Sequence, residues 1–185
     1  MKNDVKSTVG TAASRALLVI ALAVFLAGPY ASAKNVGKKM TDFKGILKKV
    51  SPSIVKVFTR APGSRIATYV TGIAVDRKHV ISNMEVIRRP YTHIFIQTVE
   101  NNYYPAKLVG KDTGTSMILL KINKGQLSPI KKAKQGEVGD SIAVVGVFYN
   151  KFPSVFHGIV SNVTEEKMLI NTPVYPGASG SAVVN

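Results

Sequence analysis

Gly177-Ala178-Ser179-Gly180-Ser181-Ala182-Val183-Val184-Asn185 ends the sequence, a run of small residues around a serine that leads straight into an apolar strand. A turn of this composition lets the backbone N–H groups of Gly177 and Ser179 converge on one point. That is the layout of an oxyanion hole, with the Ser179 hydroxyl beside it. Gly/Ser turns before strands are also ordinary punctuation. The stretch therefore takes its meaning from what precedes it.

Working back from this turn, the chain reads as strands. β-Branched and aromatic runs at 54–59, 66–75, 79–82, 93–99, 103–110, 117–122, 141–147, 155–163, 167–171 and 182–184 alternate with Gly, Pro, Asn or Asp. Ten short strands with turn residues between them predict an all-β antiparallel barrel or sandwich. Before them, Phe43, Ile46, Leu47 and Val50 fall at helical spacing, with Thr41 as cap and Ser51-Pro52 as the stop. The most polar connection, 126–140, carries Lys131, Lys132, Lys134, Gly136 and Gly139 and divides the strands into two groups. The expected organisation is a first β-barrel lobe at 51–125, a linker at 126–140 and a partial second lobe at 141–185. A basic segment with a short helix at 34–50 precedes them.

Residues 1–33 read as an address. Lys2, Lys6 and Arg15 precede an uncharged run from Ala16 to Ala27, Gly28-Pro29 breaks the helix, and Ala31-Ser32-Ala33 supplies a small-residue cleavage site. This is the pattern of a secretory signal cut after Ala33. Its alternative is an uncleaved anchor over 16–33, at the short end of what spans a bilayer. Either reading exports the remainder, in a bacterium to the periplasm.

With 185 residues, one domain or slightly more is expected, and 45% apolar content excludes a disordered chain. The absence of cysteine excludes disulfides and thiolate metal sites. A formal net charge of +15 favours anionic partners: acidic polypeptides, a lipid surface or nucleic acid. The lysines are dispersed, and no recognition helix or ribonucleoprotein motif accompanies them, so a nucleic-acid reader is disfavoured.

The order of the pieces resembles the trypsin-fold serine proteases, specifically their HtrA (DegP-like) exported branch. Ser51-Pro52-Ser53-Ile54-Val55-Lys56-Val57 is similar to that family's first strand. Gly72-Ile73-Ala74-Val75-Asp76 with Val80-Ile81-Ser82-Asn83 is similar to the pair leading to its histidine. Ala106 to Asp112 and Met117-Ile118-Leu119-Leu120 resemble the strands flanking its aspartate. Val138 to Gly146 and Gly158-Ile159-Val160-Ser161 resemble the opening of its second barrel, and Gly177 to Ser181 its nucleophile motif. The resemblance implies a trypsin-like double β-barrel with its second barrel incomplete, because the family's two further strands would follow Asn185.

The departures bear on function. The family's V-V-T-N-x-H-V-V corresponds to Val80-Ile81-Ser82-Asn83-Met84-Glu85-Val86-Ile87, so Glu85 stands in place of the histidine. Ser116 stands in place of the aspartate, and only Ser179 keeps its type at the nucleophile position, with Gly177 and Ser179 forming the oxyanion hole. Imidazole arms a serine because it titrates near neutrality, whereas a glutamate carboxylate titrates near 4.3. Loss of one triad member lowers turnover by about 10⁴. The resemblance thus implies a pseudoprotease that binds polypeptide or scaffolds a protein partner. Degenerate relatives of this sort assist mineral formation at membranes in magnetosome-forming bacteria, and such a setting is compatible with the chain. The alternatives are a serine endopeptidase with a non-standard base and a truncated, non-functional paralogue. An oligomer formed through the open sheet edge is a further expectation.

No cofactor is implied, and the spacing of His79, His93 and His157 builds no metal site. Each reads as a half-exposed strand histidine. Glu85 and Asp112 read as solvated or locally hydrogen-bonded carboxylates. Tyr91, Tyr103, Tyr104, Phe148, Tyr149, Phe152 and Phe156 read as barrel core and rim, with 148–156 as a second choice for a peptide-binding surface.

Overall fold

The computed structural model describes residues 42–61, 63, 67–132 and 135–185. The export signal or anchor at 1–33, the proposed cap Thr41 and the expected strand start at Ile66 lie outside the described residues. Helix α1 (Phe43–Val50) is capped by Asp42, whose carboxylate accepts from the Gly45 N–H at 2.9 Å. Its apolar stripe of Phe43, Ile46, Leu47 and Val50 packs against a buried cluster described below. Lys48 and Lys49 sit in the last turn, where the helix dipole favours cations.

Six strands then close a barrel: β1 (Ile54–Arg60), β2 (Ala67–Ala74), β3 (His79–Asn83), β4 (His93–Gln97), β5 (Tyr103–Asp112) and β6 (Met117–Ile122). Their order around the barrel is β1-β2-β3-β6-β5-β4, with every pairing antiparallel. The period-2 alternation predicts which side chains fill it. Val55 and Val57, Val70, Val80, Ile94 and Ile96, and Ile118, Leu120 and Ile122 form the interior.

The second lobe is a four-stranded sheet ordered β10-β7-β8-β9, with β7 (Ser141–Phe148), β8 (Lys151–Val163), β9 (Met168–Asn171) and β10 (Ala182–Val184). Strand β7 is buried along nearly its whole length because both of its faces are covered. Ala143 and Val145 pack with Ile54, Ala182 and the stripe of α1 on the face towards the barrel. Ile142, Val144 and Phe148 pack with Val160, Phe156 and Met168 on the other. A strand enclosed on two sides loses the in–out alternation and reads as an apolar run. The interlobe segment is anchored by Leu127 N–H to Arg77 O and Ile130 N–H to Ala74 O, and Leu127 is buried in the barrel core.

Strand β8 begins at Lys151, four residues before the expected 155. Phe148 pairs with Lys151 across a two-residue turn whose central residues, Tyr149 and Asn150, have φ of 50° and 63°. Two positive φ values match the right-handed twist of a hairpin, and asparagine tolerates them, but tyrosine gives no such signal. This hairpin uses part of the 148–156 stretch as strand pairing, with Phe148 buried against Phe156 at 4.6 Å.

Candidate functional site

The site forms where three loops meet at one end of the lobe interface. Strand β3 leads through Asn83 into a 3-10 turn, Met84–Ile87. Asn83 Oδ1 accepts from the Glu85 N–H at 2.9 Å and caps that turn. Val86 plugs into the barrel core, and its carbonyl accepts from Thr59 Oγ1 at 3.0 Å. With Val86 fixed inside, the adjacent Glu85 side chain is turned out to solvent.

The second loop joins β5 to β6. Asp112 accepts from Thr115 Oγ1 at 2.6 Å and from the Gly114 N–H at 2.9 Å, and these bonds hold its carboxyl below the usual carboxylate range. Asp112 is thus a turn-stabilising group with its partners in its own loop. Ser116 ends this turn at φ 57° and is exposed. Its carbonyl accepts from the Met84 N–H at 2.8 Å, so the turn that carries Ser116 braces the turn that carries Glu85. The contact is through backbone.

The third loop carries Ser179. Ala178 N–H donates to Tyr175 O and Ser181 N–H to Ala178 O, a compact double turn with Gly177 at φ 91° and Gly180 at φ 84°. A Cβ on Gly180 would lie 2.2 Å from Thr71 O, so both the dihedral and the space require glycine there. Buried Thr71 on β2 anchors the loop. Its N–H donates to the carbonyls of Gly177 and Ser179 at 3.1 and 2.9 Å. Its hydroxyl donates to Gly177 O at 2.8 Å and accepts from the Val147 N–H at 2.8 Å, linking the lobes through one side chain. The N–H groups of Gly177 and Ser179 have no hydrogen-bond partner among the described residues. Sequence reading missed Thr71. A threonine between Val70 and Gly72 carries no signal that its partners lie in the other lobe.

These three loops bring two of the expected residues into contact: Ser179 Oγ donates to Glu85 Oε2 at 2.7 Å. No histidine is hydrogen-bonded to Ser179 among the described residues. His79 Nδ1 lies 2.8 Å from Asp76 Oδ2, His157 Nε2 lies 2.9 Å from Ser141 Oγ, and the His93 ring tilts against Phe95. The arrangement is a hydroxyl donating to a carboxylate that is open to water. A carboxylate reaches near-neutral basicity when burial or a like charge disfavours its ionised form. Beside Ser179 lies a cleft of about 250 Å³, lined by Val144, Phe148, Ile170, Pro173 and Val174. It is apolar, and Val174 on its rim is 80% exposed. Among the described residues no group of three His, Asp or Glu is placed to hold a metal ion.

The model of the trypsin-like peptidase domain matches residues 70–185, a span that takes in Thr71, Glu85, Ser116 and Ser179. The chain belongs to the trypsin-like peptidase family. Within it, DegS of Haemophilus influenzae is 27% identical over 172 residues, covering 78% of this chain and 48% of that protein. DegS of Escherichia coli K12 is 28% identical over 158 residues, covering 75% and 44%. The periplasmic serine endoprotease DegP of Salmonella typhimurium is 32% identical over 126 residues, covering 62% and 25%. The crystal structure of a serine endoprotease from Yersinia pestis superposes with a TM-score of 0.68 at 26% identity, covering 78% of this chain and 54% of that one. This trypsin-like peptidase domain therefore spans about half the length of DegS. Its closed six-stranded barrel and partial second sheet are the double-barrel fold of the family.

Proposed function

We propose that this protein is a pseudoprotease: an exported, trypsin-fold binding protein that engages extended polypeptide at the Ser179 cleft without cutting it. The single observation that carries this reading is the Ser179–Glu85 hydrogen bond at 2.7 Å, made to a solvent-exposed carboxylate where an imidazole is required. Removing the serine proton needs an acceptor matched to the operating pH. A carboxylate in water is a far weaker base than imidazole and leaves a serine hydroxyl protonated. Ser116, held by its backbone, offers no negative charge to orient a base. The cleft and the Gly177 and Ser179 amides remain available to hold a peptide carbonyl and an apolar side chain. Export is supported by the basic, apolar and small-residue order of 1–33 and by relatives described as periplasmic. A scaffolding role at a membrane, of the magnetosome type included, is one setting for such a protein.

One observation favours a second reading. Because Glu85 does touch Ser179, a serine endopeptidase that uses this carboxylate as its base is the alternative. Both readings are tested by incubating the protein with a reduced, alkylated polypeptide at about pH 4.5 and about pH 7.5. Saturable binding with no new fragments at either pH is the expected result. Fragments at either pH that vanish in Glu85→Gln would favour the endopeptidase.

A further inference from the structure

The outer face of the first barrel carries an aromatic row that runs away from the Ser179 loop, touching it only where Tyr69 packs against Gly177. Cross-strand register sets Tyr69 of β2, Phe58 of β1, Phe95 of β4 and Pro105 of β5 in one row across four strands. Lys56 and Arg60 flank Phe58 on β1, and His93 and Gln97 flank Phe95 on β4. Phe58 and Phe95 stack on each other at 5.4 Å with an interplanar angle of 21°. Lys56 Nζ lies over both Phe58 and Tyr69 at 5.5 and 5.6 Å, and Arg60 lies 5.6 Å over Phe95. Neither cation has a carboxylate partner among the described residues. At the Pro105 end of the row, beside His93, a groove of about 390 Å³ opens, lined by Tyr91, Ile94, Ala106, Lys107 and Leu108.

We infer that this face is a docking site for an extended, acidic segment of a protein partner, with its carboxylates on Lys56 and Arg60 and an apolar side chain in the groove beside Lys107. Two cations held over aromatic rings without counter-charges are preorganised for anions. Burial pulls the Lys56 ammonium below the ordinary lysine range, and an incoming carboxylate relieves that cost. Lys56 and Arg60 are four residues apart on one strand, a spacing of about 13 Å that an extended peptide with alternating acidic residues matches. The stacked rings disfavour nucleic acid, since Phe58 and Phe95 already spend a face on each other and meet a cation as well, leaving little surface for a base. They also disfavour bilayer insertion, since Phe58 is only 8% exposed and the exposed aromatic beside it, Tyr103, carries a polar hydroxyl. The inference does not depend on whether Ser179 is armed.

The test uses the full chain and a fluorescein-labelled peptide in which Glu alternates with Ser around a central Leu, followed by anisotropy. Saturable binding is expected, with affinity reduced on the order of tenfold in Lys56→Gln/Arg60→Gln and within about twofold of wild type in the equally neutralised Lys131→Gln/Lys132→Gln. The Gln-for-Glu version of the peptide should not bind. Melting curves verify that both double variants fold. No binding, an equal loss in both double variants, or preferential binding of oligothymidylate or of phosphatidylglycerol vesicles would each overturn the inference.

Discussion

At the scale of single residues the site rests on three side chains, of which sequence displayed two. Ser179 was legible because Gly177-Ala178 and Gly180 mark a turn before a strand, and Glu85 because Val80 to Ile87 resembles the family's histidine motif. The contact between them was not, since it depends on how two lobes pack. Thr71 was invisible for the same reason: its partner Gly177 lies 106 positions away in the chain. Thr71 is 0% exposed and satisfies two backbone groups with its hydroxyl, so its shape can be kept while its chemistry is removed. Thr71→Val should destabilise the protein by about 1–3 kcal/mol, because it strands the buried Val147 N–H, whereas Gly177 O keeps the Thr71 backbone N–H. Denaturant unfolding measures this. Amide exchange in 178–181 should accelerate in the variant, and an unchanged exchange rate there would show that Thr71 does not anchor the loop.

At the scale of elements, all ten strands were legible as β-branched and aromatic runs between turn residues, and the errors lie at their ends. The start of β8 was misplaced because a tyrosine occupies a positive-φ position in the turn before it. Ser116 is another non-glycine residue at positive φ, 57°, at the end of the β5–β6 turn, where the expected strand start at Met117 holds. Ser116→Gly should stabilise the fold by about 0.5–1 kcal/mol, read as a rise in denaturation midpoint, because glycine adopts this region without a Cβ clash. The β2–β3 turn has an acid-sensitive cap. Asp76 accepts the Lys78 N–H and bonds His79, and these contacts, the Lys78 amide first, hold its carboxyl below the usual range. A carboxyl acidified by folding contributes stability that is complete above the unfolded value near 3.9 and disappears as pH falls through the folded one. Between about pH 5 and about pH 2 the wild type should therefore lose more melting temperature than Asp76→Asn. Parallel curves would contradict this.

At the scale of the whole molecule, the two lobes and α1 are joined by one apolar cluster in which Ile54 is fully buried against Ala143, Val145 and Ala182. Ile54→Ala should cost about 2–5 kcal/mol, seen as an earlier denaturation midpoint. This joint matters for function because Glu85 comes from the first lobe and Ser179 from the second, so their contact exists only while the lobes stay packed. The central claim is that the hydroxyl so positioned has no acceptor able to activate it at neutral pH. Reaction with a fluorophosphonate probe, followed by intact mass, tests this most directly. The account predicts that wild type and Ser179→Ala remain equally unlabelled at neutral pH, whereas an adduct on Ser179 that is lost in Ser179→Ala would contradict it.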